Sequence, residues 1–185
     1  FTSMQKGVAR GIFSNEAGLG TGSIAHACAD TQEPVRQGLF GIFEVFADTI
    51  VICTLTALVI LLSGVPVSYG QAAGAELTIS GFVATYGNWV TIFTAVAMCC
   101  FAFSTIISWY YYGETNVRYL FRRKSAVTVY KLLVVVFVFL GSLFQADAVW
   151  ALADVCNGLM VIPNLAALLL LCPVVFAMHR EDRKN

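Results

Sequence analysis

Asn88–Glu114 reads NWVTIFTAVAMCCFAFSTIISWYYYGE, and most of it belongs to a run of 37 residues, Leu77 to Gly113, with no charged side chain. A helix rising about 1.5 Å per residue crosses a bilayer's hydrocarbon core in about 20 apolar residues. The stretch therefore reads as a membrane span over 88–113, leaving through Tyr110, Tyr111 and Tyr112 as an aromatic belt at headgroup level. Thr94, Ala97, Phe101, Ser104 and Ser108 recur at i+3/i+4, with Thr105 beside that stripe and Trp109 one turn on from Thr105. Small stripes let helices approach closely, and hydroxyls can also hold ions or polar substrate groups. Both readings fit this pattern.

Composition agrees with a membrane setting. The chain is 58% hydrophobic and 12% charged, with mean hydropathy +0.78, against about 25% charged in ordinary soluble domains. Net charge is zero and no basic aromatic patch occurs, so nothing points to nucleic acid. Cys28, Cys53, Cys99, Cys100, Cys156 and Cys172 mostly sit in apolar runs and read as small buried hydrophobes, not as a disulfide framework or zinc site. FTSMQKGVARG lacks the apolar core of a signal peptide, so the chain is expected to begin partway through a longer protein.

Residues 1–36 are polar and glycine-rich and are expected to form a cytoplasmic segment. Thr21 or Ser23 is placed to cap a short helix through IAHACAD, ending before Pro34. GLGTG is a poor phosphate loop, because no strand precedes it and no lysine follows. A first span, 37–63, carries Glu44 and Asp48 on one face, and Thr49, Cys53, Thr56 and Ser63 on a second polar stripe suited to packing. Val65 to Gly87 reads as a loop folded back on the protein, with a short helix near Gln71 to Thr78.

Beyond the central span, Glu114 to Ser125 reads as a basic loop with Arg118, Arg122, Arg123 and Lys124. A third span, 126–144, is lipid-facing, its Lys131 snorkelling toward water. The last segment, 148–178, is one long kinked helix or two short spans broken at Pro163-Asn164. One crossing puts all eleven Lys and Arg on the same side, so charge favours four spans in total. In this segment Trp150, Asp154, Asn157, Val161 and Asn164 share a face, and Pro163 frees the carbonyl of Leu159.

RGIFSNEAGLGTGSIAHACA, PVRQG, VFADTIVICTLTALVILLSG, FAFSTIISWYYYGE and VWALADVCNGLMVIPNLAALLLL follow in order along nearly the whole chain. Together they resemble the alanine or glycine:cation symporters. The resemblance implies an all-α, polytopic membrane protein, part of a LeuT-like inverted-repeat bundle. This chain would be its C-terminal part, from the tail of core helix six through helices seven to ten. The missing N-terminal half would supply most substrate and ion ligands.

By the same resemblance, the whole protein is a multi-pass carrier in the cytoplasmic membrane of a prokaryote, surrounded by lipid. It would take up alanine or glycine with sodium, or with protons in some members. FSTIISW would be the eighth core helix, with Ser104 and Thr105 holding sodium. Thr105 and Trp109 would line the substrate pocket, and the two roles for Thr105 both stay open. Asn15 and Glu16 match the NEAG motif, with a gating or structural role as partners of Arg10. Asp48, Asp154 and Asn157 match family positions suited to helix-to-helix hydrogen bonds.

No nucleophile–base pair or cofactor signature argues for an enzyme, and His26 and His179 read as isolated surface or packing residues. The alternatives are a membrane enzyme using Glu44, Asp48 and Asp154 as intramembrane acids, and a structural or channel-like subunit.

Overall fold

The structure is a computed structural model and describes residues 1–68 and 74–182. Its elements in chain order are α1 (Thr2–Asn15), α2 (Thr21–His26), α3 (Pro34–Phe46), a π-helical segment (Ala47–Ile52), α4 (Cys53–Leu62), α5 (Ala75–Tyr86), α6 (Val90–Phe121), α7 (Lys124–Leu143) and α8 (Ala146–Asp182). No strand occurs among the described residues.

Among the described residues four helical stretches are long and apolar enough to cross a membrane: Pro34–Leu62, Val90–Phe121, Lys124–Leu143 and Asp147–Glu181. Their large apolar side chains stand outward, as at Leu62, Phe101, Phe137 and Leu170. Water would make such surfaces prohibitively costly, whereas hydrocarbon does not, and helices satisfy their own backbone groups there. An all-α polytopic membrane fold follows.

Several boundaries differ from the expectations. The basic loop shrinks to Arg122 and Arg123, because α6 continues to Phe121. Glu114 accepts from Arg118 Nε at 2.8 Å and from the Tyr110 hydroxyl, and these i±4 pairs stabilise the extra turns. The last segment is one helix through Pro163 and Pro173, so the reading as two short spans is set aside. At about 1.5 Å per residue its 37 residues reach about 55 Å, enough for a single crossing.

Neither Thr21 nor Ser23 caps α2. Gly20 holds that position with φ 87°, and the Ser23 hydroxyl donates back to the Gly20 carbonyl at 2.7 Å. The expected helix near Gln71 to Thr78 starts instead at Ala75 and runs to Tyr86; Gln71 to Ala73 lie outside the described residues.

The chain divides into two units, Phe1–Val45 with Tyr110–Asn185, and Phe46–Trp109. In the second, α5 packs on α4, with Gly81 seated against Val59 and Ser63. The Ser63 hydroxyl donates to Ile60 O at 2.9 Å and that of Thr56 to Ile52 O at 2.9 Å. Asp48 lies within the π-helical segment, where i→i+5 bonding shifts the side-chain register of the span; such bulges recur at functional sites.

In the first unit, α7 docks on the end of α6. Tyr130 stacks on Tyr110 at 5.9 Å, its hydroxyl donating to the Tyr110 carbonyl at 3.4 Å. Lys131 turns toward Glu114, 4.0 Å away, rather than only to water. The three tyrosines expected as a belt all make protein contacts: Tyr112 is buried, and Tyr111 Oη lies 2.9 Å from Cys28 Sγ.

Candidate functional site

The site residues read from the sequence divide between the two units, Asp48 with Ser104, Thr105 and Trp109 in the second and Asn15, Glu16, Asp154 and Asn157 in the first. Ser104, Thr105 and Trp109 belong to the second unit and occupy the middle of α6. Ser104 and Thr105 are exposed and Trp109 is half-buried. Helical spacing sets Thr105 and Trp109 one turn apart on one face. The Ser104 hydroxyl donates to Phe101 O at 2.9 Å, and that of Thr94 to Val90 O at 3.0 Å. A hydroxyl whose proton is spent on its own helix keeps oxygen lone pairs directed outward, which is what a hard cation requires. The Ser104 oxygen alone supplies only part of a coordination shell.

In the first unit α1 and the glycine-rich turn after it lie along the polar face of α8. Arg10 Nη1 donates to Asp154 Oδ1 at 3.2 Å, and its guanidinium lies 4.1 Å from the centre of the Trp150 ring. Phe13 meets the same indole edge-on at 5.1 Å. Two turns along α8 from Asn157, Asn164 Nδ2 donates to Gly18 O at 2.9 Å. Gly20 approaches so closely that a β-carbon there would stand 3.0 Å from Asn164 Oδ1. Its φ of 87° is left-handed as well, so glycine is required twice over. Between these contacts Asn157 is 8% exposed, and Leu19 and Thr21, either side of Gly20, are 4% and 3% exposed.

Periodicity alone identified the α8 face; what it could not supply was the partner. Arg10 pairs with Asp154. Asn15 Oδ1 accepts from the Ala17 backbone N–H at 2.9 Å, closing the turn. Glu16 ends α1 in the left-handed region at φ 54°.

The sequence reading also missed a third cluster. His26, expected to be isolated, has Nε2 3.4 Å from Glu44 Oε2 and Nδ1 2.8 Å from Gln37 Nε2. Gln37, Gly41 and Glu44 fall on one face of α3 at i, i+4, i+7, a signal visible in the sequence once an opposing histidine is known. Among the described residues no group of three or more His, Cys, Asp or Glu could hold a metal.

Comparison with known proteins settles the family. The model of the sodium:alanine symporter family matches residues 2–184. The chain belongs to that family. The probable sodium/glutamine symporter GlnT of Bacillus subtilis (strain 168) is 44% identical over 97% of this chain and 37% of its own length. The sodium/alanine symporter AgcS of Methanococcus maripaludis is 42% identical over 100% of this chain and 41% of its own. The amino-acid carrier protein AlsT of Bacillus subtilis (strain 168) is 38% identical, covering 97% and 38%.

The chain thus spans about two fifths of the length of these relatives. No solved structure matches it. Members of the sodium:alanine symporter family are named as transporters, not as enzymes, which sets aside the reading of Glu44, Asp48 and Asp154 as catalytic acids.

Proposed function

We propose that this chain is the C-terminal part of a secondary carrier that moves a small neutral amino acid, alanine or glycine, together with sodium across the cytoplasmic membrane of a prokaryote. The family match over residues 2–184 carries this reading. The four apolar helices support it, since a carrier must bury its path in lipid. With four crossings Arg118, Arg122, Arg123, Lys124 and Arg180 gather on one side, which the charge rule assigns to the cytoplasm, whereas Arg10 meets Asp154 toward the opposite end of α8.

Ser104 and Thr105 contribute oxygens to sodium, and Thr105 and Trp109 line the substrate pocket. A hydroxyl there binds the polar groups of the amino acid, and an indole one turn away limits its side chain. The remaining ligands come from the N-terminal part present in the longer relatives. Transport proceeds by alternating access, in a LeuT-like arrangement where one helical bundle rocks against another around a midplane site. Asp48 and Asn157 join Asp154 in tying helices together, and Asn15 and Glu16 shape the turn that links α1 to α2. A proton could replace or accompany sodium, as the name of one relative, a sodium/proton-dependent alanine carrier, states for that protein.

The test is uptake of labelled alanine into vesicles holding the full-length protein, under an imposed sodium gradient. Accumulation above equilibrium, at a fixed ratio of amino acid to sodium, is expected. Conduction down a gradient with no fixed ratio would instead indicate a channel. Competition by glycine and by glutamine ranks the substrates, the latter because the glutamine symporter named above is as similar as the alanine one.

A further inference from the structure

The His26 cluster does something that the carrier reading leaves unassigned. Glu44 sits eleven residues into the apolar stretch Pro34–Leu62, and its side chain is 73% exposed. An ionised acid within such a helix is costly and normally faces a partner or water. Its partner is the ring of His26, the last residue of α2, at 3.4 Å.

Two further contacts hold that ring in place. The Gln37 amide lies 2.8 Å from Nδ1, and Gly41 leaves the ring its seat, since a β-carbon there would stand 3.1 Å from Nε2. With the Gln37 N–H donating to Nδ1, the neutral ring carries its proton on Nε2, facing Glu44.

We propose that His26 and Glu44 form a proton-binding latch that clips α2 to α3 when the histidine is charged and slackens when it is neutral. Histidine is the side chain that ordinarily changes charge between about pH 5 and 8. On protonation the second proton goes to Nδ1, and Gln37 turns its amide so that Oε1 accepts from it. The Nε2–H···carboxylate contact then joins opposite charges, which strengthens it.

Arg36 of α3 is engaged by Glu33 at 3.5 Å, and α6 presents Tyr111 to Cys28 rather than to the ring. Because α2 follows the glycine-rich turn packed on α8, clipping it to α3 restrains that turn as well. Uptake by the intact carrier is therefore slower in acid. This last step rests on the carrier reading, whereas the latch itself does not.

Two measurements on the full-length protein test the proposal separately. At fixed sodium gradient, alanine uptake into vesicles is expected to rise about threefold from about pH 5.5 to about pH 8, and H26Q and E44Q to flatten that rise. A flat wild-type profile, or one that survives both substitutions, overturns it.

Independently of transport, maleimide labelling of Cys28 is followed with every other cysteine of that protein replaced by alanine. The labelling rate relative to that of the same protein carrying H26Q should climb about threefold over that pH range as α2 is released. A constant ratio refutes the latch even if uptake is normal. A climbing ratio supports it even if alanine is not carried.

Discussion

The Tyr130 hydroxyl rests against Gly113, filling the space that a β-carbon on that residue would need. The contact joins α7 to the last turns of α6, beside the Tyr110–Tyr130 stack and Glu114, whose side chain is only 14% exposed. Gly113→Ala would force the ring aside, and overpacking of this kind costs about 1–3 kcal/mol. A lowered melting temperature of the full-length protein in detergent is the expected outcome. Tyr130→Phe removes the oxygen and should restore part of that loss when combined with Gly113→Ala. Equal melting of the wild type and the alanine variant would show that the helices are spaced more widely.

Arg10 joins α1 to α8 through both an ion pair and an aromatic face. Both partners of the pair are partly exposed, so the ionic part contributes about 0.2–1 kcal/mol. Stacking on Trp150 adds about 0.5–1 kcal/mol. Arg10→Lys keeps the charge but loses the planar stack, so it should lie between wild type and Arg10→Ala in thermal stability. A double-mutant cycle of Arg10→Ala with Asp154→Ala that yields no coupling energy would dismiss the pair.

Thr21 presents the opposite case, a buried hydroxyl whose oxygen has no hydrogen-bond partner among the described residues. Replacing an unsatisfied polar group by an apolar one of the same shape is close to neutral or stabilising. Thr21→Val is expected to leave the melting temperature unchanged or to raise it, by up to the equivalent of about 1–3 kcal/mol. A clear fall would reveal a partner for that oxygen.

At the proposed transport site, Thr105→Val keeps shape and removes an oxygen. Sodium dependence or substrate affinity in vesicle uptake should weaken by about tenfold, the equivalent of about 1.4 kcal/mol, with membrane insertion intact. Unchanged uptake kinetics would remove Thr105 from the site.

Trp109→Ala is expected to widen the range of amino acids accepted, read as competition by larger side chains against labelled alanine. An unaltered preference for the small ones would take the indole out of the pocket wall.

Apolar run length determined the all-helical membrane fold, because a bilayer imposes one requirement on every residue of a crossing segment, and the placing of Lys and Arg favoured four spans over five. Helical period likewise identified the faces carrying Thr105 with Trp109 and Trp150 with Asp154 and Asn164, since spacing along one helix is fixed by backbone geometry. Partners across helices were decided only by tertiary structure. Arg10 meets Asp154 across 144 residues of chain, and His26 meets Glu44 across the bend between α2 and α3. Gly113 makes room for a tyrosine seventeen residues away. Each depends on how the chain turns between helices, and those turns rest on a few glycine dihedrals and close contacts that no hydrophobic pattern records.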